Sequence, residues 1–411
     1  MNFSFKLLII MALAVVGVTA SACMQARSRA DEKNGNTTTD NAAVVVGAER
    51  TSEYLPLLKG KRIALLSNQT GVVGPRHDKH TLDLMLELGL NVTTIFSPEH
   101  GFRGNADAGE HVKSSVDEKT GIPIASLYEG KSRMPAQETM DRFDVIVTDI
   151  QDVGLRFYTY YVTMVNMMDA AAAYGKEFVV FDRPNPNGMT VDGPILDMKL
   201  KSGVGWLPIT TVHGMTMGEI ARMTNGERWL TNGKQVKLTV IPCENYTHQT
   251  RYELPIAPSP NLPNMLAIYL YPSTCYFEGT PVSLGRGTDW PFQVYGHPLM
   301  KGYSFSFTPT SRPGAKTPPQ LGKLCHGVDL HNLKADDVIK KGMNLEYVID
   351  AYNNLKMGDK FFTKFFDLLA GRTYIREMIM AGKSADEIRA MWQDDVKRFK
   401  EQRRPYLLYP E

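Results

Sequence analysis

The sequence predicts an α/β fold, a parallel sheet with helices on both faces, followed by a smaller C-terminal auxiliary domain. Three observations lead there. From about residue 50 to residue 241, short apolar runs rich in Val and Ile alternate with stretches of helical period. Such alternation implies right-handed βαβ units whose helices cover both faces of the sheet. From about residue 301 the pattern turns mainly helical, and 411 residues at roughly 150 per domain allow about two domains.

The elements follow in order. Arg62-Ile63-Ala64-Leu65-Leu66-Ser67 predicts a buried strand. Residues 80–88 carry Leu82, Met85, Leu86 and Leu88 at near-helical spacing. Residues 91–96 and 143–149 predict two further strands, 160–174 a helix stopped before Gly175, and 177–181 a fourth strand. Thr216 and Glu219 have the spacing of a capping box that opens another helix, and 236–241 follow as a strand. Residues 254–320 are rich in Pro and Gly, which suits long ordered loops. Residues 345–355, 360–370 and 384–399 predict helices, the last opened by Ser384 and Glu387. The sheet domain is expected over 50–300 and the auxiliary domain over 301–411.

The N-terminus reads as a targeting segment. Lys6 precedes an apolar run over 7–18 that is shorter than a spanning helix, so 1–22 are expected to be a signal peptide. Ala20-Ser21-Ala22-Cys23 resembles a bacterial lipobox, with Cys23 as the lipidated residue. The other reading is an A-x-A cleavage site followed by an incidental Cys. Residues 23–49 are expected to be a flexible tether. The expectation is therefore an exported protein of the cell envelope, in the periplasm or at the outer membrane, touching the membrane only through a lipid anchor. Cys243, Cys275 and Cys325 lack the spacing of a zinc site. They read as buried or half-buried thiols, with one disulfide as the alternative.

Composition excludes several classes. Hydrophobic residues at 43% and charged residues at 22% rule out disorder over the whole chain. A net charge of +2 argues against a nucleic-acid partner. No G-x-G-x-x-G follows the first strand, and neither a P-loop nor a G-x-S-x-G elbow is present. Dinucleotide, nucleotide triphosphate and serine-hydrolase chemistry lose their main support, and no cofactor is expected.

Polar residues gather where the strands end. In an open parallel sheet, ligands bind outside the carboxyl ends of the strands. Those ends read Ser67-Asn68-Gln69-Thr70-Gly71, Ser97-Pro98-Glu99-His100-Gly101-Phe102-Arg103, Asp149-Ile150-Gln151-Asp152-Val153-Gly154 and Asp182-Arg183-Pro184-Asn185-Pro186. Together they predict a polar cleft.

Glu99 is the sharpest candidate. Phe96 and Phe102 nearby would raise its pKa, as a general acid requires. The alternative is a loop carboxylate paired with Arg103. His100 has no metal-ligand spacing to His77, His80 or His111 and reads as a hydrogen-bonding or packed residue. Asp149 and Asp152 are either a second carboxylate and a ligand-positioning group or caps of the next helix. Arg156 and Tyr158 offer a cation and an aromatic face for a sugar ring, or else good core. Glu278 and Arg286 sit among glycines in a long loop, as a second wall of the site or as an internal pair that stiffens it.

These segments, together with Glu278-Gly279-Thr280 and Gly285-Arg286-Gly287-Thr288, resemble the NamZ-type exo-β-N-acetylmuramidases from about residue 50 to the C-terminus. The resemblance implies a Rossmann-like domain without a nucleotide, an auxiliary domain, and a site in the cleft between them. It implies release of N-acetylmuramic acid from the non-reducing ends of peptidoglycan-derived disaccharides and muropeptides. Glu99 matches the family's proposed acid, with Glu278 and Asp149 as alternatives for the second catalytic group. Asn68, Gln69, His100, Arg103, Asp152, Arg156, Tyr158, Arg183 and Arg286 are the expected substrate contacts. Arg183 or Arg286 is expected to bind the lactyl carboxylate, because a guanidinium pairs with it bidentately. The rival functions are a non-enzymatic cell-wall-binding lipoprotein and a metal-dependent amidase or esterase.

Overall fold

The computed structural model describes residues 42–98, 102, 115–127 and 134–411. The expected signal peptide, Cys23, Glu99, His100 and Arg103 lie outside the described residues.

β1 (Arg62–Ser67) is followed by a small hairpin, β2 (Val72–Val73) and β3 (Lys79–His80). Then come β4 (Asn91–Ser97), β5 (Ser115–Val116), β6 (Pro123–Ser126), β7 (Val145–Asp149), β8 (Glu177–Phe181) and β9 (Lys237–Ile241). The main sheet runs β5-β6-β4-β1-β7-β8-β9. All neighbours pair parallel except β5, an antiparallel edge strand on β6. The six parallel strands, counted in chain order, lie 3-2-1-4-5-6 across the sheet. That is the Rossmann order, and its direction reverses between β1 and β7.

The two-residue period of the strands sorts their side chains between two cores. Ile63, Leu65, Val145, Val147, Val179 and Phe181 pack with Tyr54, Leu58, Leu82 and Met85 of helices Thr51–Leu58 and Thr81–Glu87. Ala64, Leu66, Ile146, Phe178 and Val180 join Met164, Met168, Ile220 and Met223 of helices Tyr160–Tyr174 and Met217–Gly226 on the opposite face. Strands buried on both faces read as unbroken apolar runs, as these do.

After β9 the chain adds a three-stranded sheet and a set of helices. β10 (Val294–His297), β11 (Phe305–Phe307) and β12 (Cys325–Asp329) lie in the order β10-β12-β11, both pairs antiparallel. The larger core continues into this part through Tyr276, Phe277, Phe366 and Leu369. Cys243, Cys275 and Cys325 are free and buried.

Three expectations need correction. Residues 42–49 are not tether. Val45 exchanges backbone hydrogen bonds with Glu244, and Gly47–Glu49 forms a 3-10 turn against Asp182. Within 254–320, Met265–Thr274 is a helix capped by Asn264, whose Oδ1 accepts from Ala267 N at 2.9 Å. It was illegible because Ala267 through Thr274 are all buried, leaving no amphipathic stripe, and because Pro272 lies in its last turn. The span 384–399 is two helices, Ala385–Ala390 and Gln393–Arg403. The break falls at Trp392, which is fully buried and donates its indole N–H to Asp192 Oδ1 at 2.8 Å.

Candidate active site

The reversal between β1 and β7 brings Ser67 and Asp149 side by side at the carboxyl edge of the sheet. The two tails are stitched together there. Asn68 Oδ1 accepts from Thr70 N at 3.0 Å and Thr70 Oγ1 at 2.6 Å, and Thr70 Oγ1 accepts from Gln151 N at 3.0 Å. Asn68 Nδ2, Gln69 Oε1 and Asp152 Oδ2 remain buried without a hydrogen-bond partner. Orphaned polar atoms are uncommon in folded proteins, and these three lie on the tails of adjacent strands at the carboxyl edge of the sheet.

Asp152 keeps its other oxygen on Gly154 N at 2.8 Å. Burial pushes its carboxyl up to about 7. It does not cap the following helix, which starts at Tyr160.

Asp149 is a different case. It is fully buried, and both oxygens are engaged. Arg183 donates Nε to Oδ1 at 2.5 Å and Nη2 to Oδ2 at 2.9 Å, and Thr81 Oγ1 donates to Oδ2 at 2.5 Å. Arg183 Nη2 also reaches Val72 O at 3.0 Å. This closed bidentate pair corrects two expectations. With Thr81 it fills three of the four lone-pair positions of Asp149, which disfavours Asp149 as the second catalytic group, and with the Arg183 side chain only 2% exposed it turns that guanidinium toward the protein instead of a lactyl carboxylate.

Arg156 is corrected as well. Its guanidinium is wholly buried and donates to four carbonyls: Pro194 and Ile209 from Nη1 at 2.6 and 3.0 Å, Leu369 and Ala370 from Nη2 at 3.2 and 2.8 Å. It ties the sheet domain to helix Lys364–Ala370.

Glu278 and Arg286 make the internal pair of the alternative reading, and both also line cavities. Glu278 stands on the 3-10 turn Cys275–Gly279, and the turn packs so closely that a Cβ on Gly279 would lie 2.5 Å from the Phe366 backbone. Arg286 donates Nε at 3.1 Å and Nη2 at 2.5 Å to Glu278 Oε1. Its guanidinium lies 5.0 Å from the centre of the Phe292 ring. Burial alone would lower the Arg286 pKa, but Glu278 beside it holds it above its ordinary value.

This pair separates two cavities. The smaller, about 190 Å³, has an aromatic wall of Tyr158, Tyr160, Tyr271 and Phe292. The larger, about 370 Å³, is walled by residues 314–319 and Leu284. Glu278, Arg286 and Phe365 line both. The Tyr158 and Tyr160 hydroxyls each donate to Pro258 O at 2.9 Å, and Gln69 Nε2 reaches the same carbonyl at 3.5 Å. The Pro-rich loop thereby fastens the strand tails to the aromatic wall. Among the described residues, no group of three His, Cys, Asp or Glu side chains is arranged to hold a metal.

Of the expected contacts, Tyr158, Glu278 and Arg286 line the smaller cavity, Gln69 reaches its wall through Pro258 O, and Asn68 and Asp152 line neither cavity. Ser259, Tyr271, Phe292 and Phe365 also line the smaller cavity, although no sequence signal selected them. Ser259 had one available cue, its place between Pro258 and Pro260 in a long loop. Phe365 had none, because it sits in an ordinary amphipathic helix.

Comparison with known proteins agrees with this architecture. Residues 63–266 match the N-terminal domain of exo-β-N-acetylmuramidase NamZ, and residues 269–409 match its C-terminal domain. The chain is 39% identical over 378 residues to the peptidoglycan β-N-acetylmuramidase NamZ of Bacillus subtilis, covering 87% of this chain and 89% of that protein. A crystal structure of a DUF1343 family protein from Bacteroides fragilis superposes with a TM-score of 0.84 at 62% identity, covering 90% of this chain and 100% of the other. A second DUF1343 protein from the same organism gives 0.76 at 29% identity, covering 89% and 99%. With both domains matched in order and a relative aligned over most of its length, the chain belongs to the NamZ family of exo-β-N-acetylmuramidases.

Proposed function

We propose that the protein is an exo-β-N-acetylmuramidase that releases N-acetylmuramic acid from the non-reducing end of peptidoglycan fragments. The observation that carries this is a Glu–Arg pair standing between two cavities in a chain that matches both NamZ domains. Cleavage needs a proton on the leaving oxygen and a second group at the sugar carbon. Glu99, two residues beyond β4 in the sequence, is the acid in this reading. Glu278 is the second carboxylate. It is favoured over Asp149 because Asp149 is closed by Arg183 and Thr81. Arg286 reads the lactyl carboxylate, and the faces of Tyr158 and Phe292 hold the ring.

The same reading makes the protein an exported lipoprotein anchored through Cys23. The sequence of residues 1–23 supports it. The activity is tested by incubating the purified protein with a disaccharide whose non-reducing sugar is N-acetylmuramic acid and assaying the free monosaccharide. Binding of the disaccharide without release would identify a cell-wall-binding protein instead.

A further inference from the structure

We propose that the larger cavity, beyond the Glu278–Arg286 pair, is the subsite for the leaving saccharide. The inference rests on the muramidase reading and deepens it. A glycosidase must present its carboxyl at the bond between the terminal sugar and the remainder. A carboxylate that lines two adjoining cavities meets that requirement, with one sugar on each side. An exo-acting enzyme also needs asymmetry. The aromatic lining assigns the terminal ring to the smaller cavity, and the rest of the chain needs the roomier one with an exit to solvent. The larger cavity has about twice the volume, and Lys316, Thr317 and Pro319 on its wall are exposed.

That wall is a fixed platform. Arg312 and Ala315 exchange backbone hydrogen bonds at 3.2 and 2.9 Å. Asn261 Nδ2 donates to Gly314 O at 2.8 Å. Gly287 packs against Pro318 closely enough that a Cβ there would lie 2.6 Å from the proline ring. Asn261 belongs to the same loop as Pro258, the carbonyl that receives Tyr158 and Tyr160, so one loop braces the walls of both cavities. The ligand chemistry follows from the lining. Proline rings and Phe365 present apolar surface to sugar faces.

The test compares two substrates: a nitrophenyl β-muramide, whose leaving group is small, and a tetrasaccharide of alternating sugars with muramic acid at its non-reducing end. Thr317→Trp fills the larger cavity from an exposed position. It is expected to lower kcat/KM on the tetrasaccharide on the order of tenfold more than on the nitrophenyl muramide, mainly through KM. Equal losses on both substrates, or none on the tetrasaccharide, overturn the subsite while leaving the activity intact. If the unmodified protein hydrolyses neither substrate, the muramidase reading itself falls, and the subsite with it.

Discussion

Both nitrogens that Arg286 turns toward Glu278 end on one carboxylate oxygen, Oε1, at 3.1 and 2.5 Å. No described residue donates to Oε2. The pair therefore fixes the carboxylate's orientation and leaves half of it for substrate or water. Glu278→Gln preserves size and removes the charge. Its kcat on the disaccharide should fall about 10²–10⁴-fold with the melting temperature little changed. Retained turnover would return Glu278 to the alternative role of stiffening its loop.

Arg286 should separate muramides from plain glucosaminides. Lys keeps the charge but cannot hold Glu278 as Nε and Nη2 do while presenting the remaining Nη1 donors to a second carboxylate. In Arg286→Lys, loss of Glu278 orientation slows both substrates, and loss of the lactyl contact adds a further penalty for muramides alone. Kinetics on matched nitrophenyl sugars measure that extra factor, and a factor of one refutes the contact.

Glu99→Gln tests the acid. A Gln has no proton to give, so a poor leaving group suffers most. Turnover of a natural disaccharide should drop roughly 10²–10⁴-fold, and turnover of an activated nitrophenyl muramide should drop less. Near-normal disaccharide hydrolysis would move the acid elsewhere, with Asp152 the next group to replace.

Asp152 also predicts a pH effect on stability. Burial raises its folded carboxyl to about 7, above the ordinary 3.8. Between those values the folded chain holds a proton that the unfolded chain releases, so stability falls as pH rises from about 4 to about 7 and then levels. Asp182, raised to about 6 by burial, acts with the same sign but is common to both proteins compared. Asp152→Asn keeps an acceptor for Gly154 N and removes the titration. Its melting temperature should match the unmodified protein near pH 4 and exceed it at pH 8, by up to a few kcal/mol of stability. A gap that stays constant across this range contradicts the assignment.

Arg156→Met distinguishes a tie from a substrate contact. Removing the guanidinium strands four buried carbonyls, and each unsatisfied group costs about 1–3 kcal/mol. Denaturant unfolding should show a loss of several kcal/mol. Unchanged stability with a raised KM would restore the role expected from the sequence.

The sequence by itself determined five strands of the main sheet (β1, β4, β7, β8 and β9) and helices that lie between them, the carboxyl-edge tails that carry the polar residues, and the Glu278 and Arg286 motifs. These are local properties. A two-residue period assigns faces, a capping box starts a helix, and a Gly-bracketed turn needs only its own backbone. Tertiary structure decided which polar side chains face the cavities and which face the protein. Asp149 meets Thr81 from 68 positions away, and Arg156 meets Ala370 from 214. Glu278 and Arg286, eight positions apart, found each other as a local reading anticipated. A periodic pattern states that a residue is buried or at a strand end. Whether its polar atoms are then satisfied by distant backbone or left for a ligand depends on what the fold packs against them.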